Sequence, residues 1–332
     1  MDEIILETIR PLLKMYEKIE NDLLIEIASH FSINEEFLNS DYWRIKKLEE
    51  MGLFNQEIIE YIATYSGKTK REIKEALDKI GIKAINTDKL NVLYGNKVLM
   101  MNPEILLNNK DIKNIINKAY NELSNSLIQM SYLIEKGTRG AYLNVVEEAY
   151  LKTSMGTHSY QEAIKQAIND LSNKGITTLT YKSTDEDGNV VGIRKYDIEG
   201  AVRREVLTAT RKLANDVSMK VAEELECEYV YLSEHLECRP SHFDWQGTVI
   251  KRKDLVSVTG YGEVDGLGGI NCRHYFEPYF GNAREDDLKT FSRKDCKISY
   301  RKSQMQRYLE RGVRKWKRKK EKPKLRLDIV RL

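Results

Sequence analysis

The chain has 332 residues, 41% hydrophobic and 32% charged, with five prolines and four cysteines, which excludes a disordered, collagen-like or disulfide-scaffold protein. At roughly 100–200 residues per domain it predicts about two to three packed units. The net charge of +3 conceals an asymmetry: residues 297–332 carry 15 Lys and Arg against 3 Asp and Glu, a local +12, which leaves the first 296 residues at −9.

In chain order, Ile5, Ile9, Leu12, Leu13, Tyr16, Ile19, Leu23 and Ile27 recur at helical spacing over residues 4–30, and Pro11 predicts a boundary or kink near Arg10. A second helix is expected from Asp41 to Met51, stopped by Gly52, and a third from Asn55 to Tyr65, ending at Gly67. Thr69 and Glu72 read as a capping box opening a fourth, which stops before Gly81. Residues 91–109 are ambiguous. The helical period resumes at Lys110 and runs to about Glu135, with further helices at Tyr142–Leu151 and Gln161–Asn173. Thr177–Thr184 and Val190–Tyr196 flank an Asp-Gly turn and predict a hairpin. A long helix follows at Ile198–Leu225, then strands at Tyr229–Ser233 and Gly247–Lys251 and a Gly-rich loop over Gly260–Gly269. Tyr300–Lys320 reads as a helix with a narrow apolar stripe of Met305, Tyr308, Leu309, Val313 and Trp316, ended by Pro323.

The expected fold class is therefore α+β and predominantly helical. Its expected regions are helical 1–100, long helices with the hairpin in 101–225, a small α+β module in 226–296 and a basic helical arm in 297–332. No run of about 18 apolar residues predicts a membrane span, and the acidic start at Asp2 and Glu3 is unlike a secretory signal. The chain is read as acting in a reducing cytoplasm with free thiols.

The chemistry-bearing residues crowd between Ser233 and Gly281, which holds three of the five histidines and two of the four cysteines. Imidazole and thiolate are ligands zinc prefers, so Cys238 and His242 facing Cys272 and His274 form one candidate set, with His235 as a variant. The competing reading makes these groups hydrogen-bonding and packing elements of irregular loops, with no cofactor. The Cys272 thiol beside His242 or His274 could also form a nucleophile pair, and His242 with His274, Asn271 and a carboxylate a metal-dependent nuclease site. No Walker-type loop is present, and Gly266 and Gly268 precede no apolar helix. In the arm, Arg311, Arg314, Lys315, Lys317, Arg318, Lys319 and Lys320 surround Trp316, and contact with DNA phosphates or with an acidic protein is favoured over a merely solvated face.

Taken together, Ser233 and His235, Arg239-Pro240-Ser241-His242, Trp245-Gln246-Gly247, Tyr261-Gly262, Gly266-Leu267, Asn271-Cys272-Arg273-His274 and the Pro278–Gly281 end resemble the carboxy-terminal signature of the tailed-phage minor capsid protein 2 family. That family is related in role to the Mu F-like and SPP1-type head-morphogenesis proteins. The likeness extends upstream to Gly156, Ser159-Tyr160, Ala163-Ile164, Arg203-Arg204, Thr208 and the Trp43–Leu48 run. Cys238, where a small residue is expected, and Gly268-Gly269, where a cysteine sometimes occurs, depart from the pattern and weaken a zinc site built on Cys238. The resemblance implies a non-enzymatic, low-copy structural protein of the phage head interior, present in the host cytoplasm during assembly. Its implied partners are the portal protein, the major capsid protein and, through the basic arm, packaged DNA, with no membrane. Ser233, His235, Arg239, Pro240, His242, Trp245, Gln246, Gly247, Asn271, Cys272, Arg273 and His274 are expected to hold a small module together. The alternative is a metal-dependent nuclease or another enzyme delivered with the virion.

Overall fold

A computed structural model describes residues 2–31, 40–84, 109–184, 190–280 and 290–320. In chain order these form α1 (Asp2–Ser29), α2 (Ser40–Ala84), α3 (Lys110–Ser154), α4 (Tyr160–Lys174), β1 (Leu179–Thr184), β2 (Val190–Tyr196), α5 (Ile198–Glu224), β3 (Tyr229–Leu232), β4 (Val249–Lys251), α6 (Leu255–Thr259), β5 (Phe276–Tyr279) and α7 (Arg293–Lys320). Short 3-10 turns lie at Pro240–His242 and Arg252–Asp254. The fold is predominantly helical α+β, as the periodicity predicts.

Most of the differences from expectation are helices that fail to stop. Pro11 lies inside α1, where its ring removes one helical hydrogen bond, yet Ile9 and Leu12 on either side are buried. The three short helices expected between 41 and 81 are one helix, α2, running through Gly52, Gly67, Thr69 and Gly81. An interior glycine costs about 1 kcal/mol, whereas burying one large apolar side chain contributes about 1.5–3 kcal/mol, and α2 buries Trp43, Phe54, Ile58, Ile73, Leu77 and Ile80. Gly81 is a packing glycine, because a Cβ there would lie 2.7 Å from the Ile116 side chain of α3. The segments expected at 110–135 and 142–151 are likewise a single helix. Residues 91–108, the hairpin turn at 185–189, Gly281 and the end of the arm with Pro323 lie outside the described residues.

Helix α4 is set by its caps. The Ser159 hydroxyl accepts from the Glu162 N–H, and the Glu162 carboxylate accepts from the Ser159 N–H. Strands β1 and β2 pair antiparallel, with Leu179 opposite Tyr196. The second sheet has the order β4-β3-β5, all antiparallel, with Val230 opposite both Ile250 and Pro278. Pro278 is tolerated because β5 is an edge strand.

Two compact units form, each from three stretches of chain: residues 1–11, 71–125 and 204–308 in one, and 12–70, 126–203 and 309–332 in the other. In the first, the β4-β3-β5 sheet and the loops around it close over Ala222, Cys227, Val230, Leu232, Trp245, Leu255, Leu267, Cys272 and Phe276. In the second, Tyr142 is fully buried against Phe31 and Phe54, and its hydroxyl donates to the Lys47 carbonyl at 3.1 Å. Trp43 packs edge-on against Tyr160 and donates to its hydroxyl at 3.2 Å. No helix among the described residues is long and apolar enough to cross a membrane.

Candidate functional site

The 233–281 stretch becomes one module because long loops are tied at both ends to β3. Ser233 continues that strand: its N–H donates to the Tyr275 carbonyl and its hydroxyl accepts from the Tyr275 N–H, both at 2.9 Å. Gly247, at φ +66°, returns to β3 by donating to the Leu232 carbonyl. Pro240 opens the 3-10 turn that carries His242, and its fixed φ suits that first position. Asn271 adopts φ +60°, which asparagine tolerates better than most residues, and so turns the chain immediately before Cys272.

This folding brings His242, Cys272 and His274 together, all three buried. The His242 Nδ1 lies 3.4 Å from the His274 Nδ1, and the Cys272 Sγ lies 3.8 Å and 3.5 Å from those two nitrogens. Trp245 closes the cluster with its ring 4.6 Å from His242 and 4.7 Å from His274, and the His235 ring stacks 4.2 Å from His274. Burial, and after it the neighbouring His235 and His242, pushes the His274 imidazole down to about 2, so it is neutral. Burial also lowers His242 and raises the Cys272 thiol. A thiol so placed is not activated as a nucleophile.

The outer nitrogens each have a hydrogen-bond partner. His242 Nε2 lies 2.7 Å from the Asp265 carbonyl, which only accepts, so that nitrogen carries the hydrogen. His274 Nε2 lies 3.0 Å from Gln246 Oε1. The fully buried Gln246 amide is oriented by the His235 N–H donating to its Oε1, while its Nε2 donates to Cys296 Sγ. His274 Nε2 is therefore also a donor.

The other expected residues sit around this centre. Arg239 donates to the Asp265 carbonyl at 3.1 Å and to the Ile270 carbonyl, pinning the middle of the Gly-rich loop and the residue that follows it. Arg273 pairs with Glu237. Cys238 is not part of the cluster; burial and then the adjoining Cys296 thiol push it up to about 12. The sequence reading missed Glu234, whose carboxylate accepts from Thr290 N–H and hydroxyl and from Phe291 N–H at 2.8–2.9 Å, fixing the chain that leads into α7. A second grouping, His30 between Glu26 and Glu57 at 3.6 and 3.5 Å, has half-exposed carboxylates and reads as an ordinary ion-pair cluster.

Truncating Arg239 to alanine removes the Ile270 carbonyl's donor and one of the two donors to the Asp265 carbonyl, and should cost about 1–3 kcal/mol in urea unfolding. An unchanged midpoint would remove the side chain from the module's framework. Gly266→Ala is expected to cost about 2–3 kcal/mol, because a Cβ there overlaps the Gly260 carbonyl. Gly262→Ala makes the contrast, since a Cβ there meets nothing within 4 Å and only its φ of +96° is at issue. Equal thermal midpoints for parent and Gly266→Ala would show that the loop is looser than this.

In the arm, the eight expected contact residues divide. Within the second unit, Arg314 pairs with Glu199 at 3.3 Å, Lys317 with Glu17 at 3.0 Å and Arg318 with Asp197 at 3.0 Å and Glu20 at 3.7 Å. Arg318 is buried. Arg311, Lys315, Trp316 and Lys320 are exposed, and Lys319 lies over the Trp316 ring at 4.7 Å.

Comparison with known proteins gives this architecture its class. The chain is 27% identical over 297 residues to a structural protein of Lactococcus phage LL-H, covering 84% of this chain and 76% of that protein. A structural protein of Lactococcus phage mv4 is 41% identical over 61 residues, which are 18% of this chain and 50% of that protein. No solved structure matches. The chain is thus a phage structural protein. The family model for phage minor capsid protein 2 matches residues 2–324, nearly the whole length, and the chain belongs to that family.

Proposed function

We propose that this protein is a low-copy, non-enzymatic component of the phage head interior, seated at the portal, which assists head assembly and DNA packaging or delivery. The observation that carries the reading is the exposed face of α7 between Leu309 and Lys320. Leu309, Val313 and Trp316 are 58%, 56% and 68% exposed and lie among the exposed Arg311, Lys315 and Lys320. A helix that presents both apolar and cationic side chains is suited to an acidic protein surface with apolar pockets, whereas DNA phosphates would use the cations alone. On the same helix Arg314 and Arg318 turn inward to Glu199 and Asp197, and the exposed Lys317 pairs with Glu17.

The test is the double variant Val313→Ser, Trp316→Ser made in the phage. Both side chains are exposed, so the purified variant should keep the parent's unfolding free energy within the ±0.5 kcal/mol usual for surface changes, yet be depleted from assembled heads. Parental incorporation would overturn the assigned contact. Steeply salt-dependent binding of duplex DNA by the full chain, lost with Lys315→Glu and Lys319→Glu but unaffected by the apolar variant, would transfer the face to DNA. Cleavage of DNA in Mg²⁺, Mn²⁺ or Zn²⁺ that disappears with His242→Ala would overturn the non-enzymatic reading.

A further inference from the structure

We propose that His242 Nδ1, Cys272 Sγ and His274 Nδ1 are three protein ligands of one zinc ion, which clasps the Pro240–His242 turn to the chain entering β5. This inference stands independently of any role in the phage head.

Three features of the cluster lead to it. The first is spacing. A tetrahedral zinc with Zn–N of about 2.0–2.1 Å and Zn–S of about 2.3 Å places two nitrogens about 3.3–3.4 Å apart and nitrogen and sulfur about 3.5–3.6 Å apart. The three ligand atoms are separated by 3.4 Å between nitrogens and by 3.5 and 3.8 Å from nitrogen to sulfur. One ion at those bond lengths satisfies all three separations with movements of a few tenths of an ångström.

The second is the count of protons. Both Nε2 atoms donate outward, to the Asp265 carbonyl and to Gln246 Oε1, so both neutral rings turn a lone pair inward. The two Nδ1 atoms therefore face each other at 3.4 Å as acceptors, with a single thiol hydrogen to share between them. A second hydrogen inside the cluster would have to come from an imidazolium, and both rings are buried, which opposes that charge. A divalent cation accepts both lone pairs and the sulfur at once, and binding releases the thiol proton to solvent.

The third is the surrounding shell. Metal-bound histidines characteristically donate their other N–H to a carbonyl or carboxylate, which fixes the tautomer and the ring plane. His242 and His274 both do so, and Gln246 is itself fixed from behind by the His235 N–H. The mixed nitrogen and sulfur donors select zinc over magnesium or calcium, which take oxygen. The fourth corner is left to a small ligand such as water. Because the ligands come from two stretches thirty residues apart, the ion contributes to holding the module closed.

The experiment uses the full chain with any affinity tag removed, stripped with chelator and reconstituted with Zn²⁺ or Co²⁺. The expected result is one metal per chain, a Co²⁺ spectrum with tetrahedral d–d bands and a thiolate-to-cobalt charge-transfer band, and a higher melting temperature for the zinc form. The charge-transfer band should vanish in Cys272→Ser and persist in Cys227→Ser, Cys238→Ser and Cys296→Ser. Persistence in those three assigns the sulfur to Cys272 even where Cys272→Ser does not fold. Metal content far below one per chain after reconstitution, a cobalt spectrum without the thiolate band, or a band lost with Cys238→Ser would overturn the proposal.

Discussion

Replacing Arg318 by methionine is expected to destabilise the protein by about 3–5 kcal/mol, the usual cost of removing one partner from a buried charge pair. Methionine keeps an apolar stem in place and deletes only the guanidinium. Arg318 is 9% exposed, and its guanidinium donates to Asp197 Oδ2 at 3.0 Å and lies 3.7 Å from Glu20 Oε2, while Asp197 also accepts from the Gly200 N–H at the start of α5. Without Arg318 the Asp197 charge is stranded beside the helix it caps. Pairing the substitution with Asp197→Asn should recover part of the loss, and the recovered part measures the coupling in a double-mutant cycle. A loss below 1 kcal/mol in urea unfolding would show that the arm is not anchored by this pair.

Glu20, on the other side of the same arginine, predicts a pH signature. Its carboxyl is pushed up to about 8, first by burial, then by Asp197, with Arg318 opposing. A raised carboxyl pKa means that between about pH 4.5 and 8 the native state holds a proton that the unfolded state has released. This contribution is fully present below pH 4.5 and is lost as pH rises toward 8. Glu20→Gln keeps the oxygen that accepts the Ile176 N–H but cannot ionise. The stability of the variant relative to the parent should therefore rise across that window by up to about 5 kcal/mol, at about 1.4 kcal/mol per unit. A difference that stays flat from pH 4.5 to 8 would show that Glu20 ionises freely where it is.

These two residues mark where sequence reading stops. The 3.6-residue and two-residue periods suffice for α1, α4, α5, both strands of the hairpin and β3, because each buries one face and obeys its own local pattern. Glycine punctuation breaks α2 into three, since Gly52, Gly67 and Gly81 lie in a helix whose buried Phe54, Ile58 and Leu77 outweigh their cost. The histidines and Cys272 stand out by density alone. Which of the four cysteines joins them depends on β3 pairing with β5, which carries Cys272 and His274 to the turn with His242 and leaves Cys238 beside Cys296. The arm's charge is plain in composition, but its partition is not. Glu17, Glu20, Asp197 and Glu199 are remote in sequence, and only the fold gives Arg314, Lys317 and Arg318 to them. Deleting residues 297–332 would remove these ion pairs together with the exposed face, so point changes on that face separate assembly from stability.

Quantitative mass spectrometry of purified, DNA-filled heads, followed by localisation of this polypeptide in an asymmetric map of the particle, bears on the whole reading at once. The expected result is a few copies per head, with density for α7 against the portal. Heads that lack the protein, or hold it only on their outer surface, would contradict it.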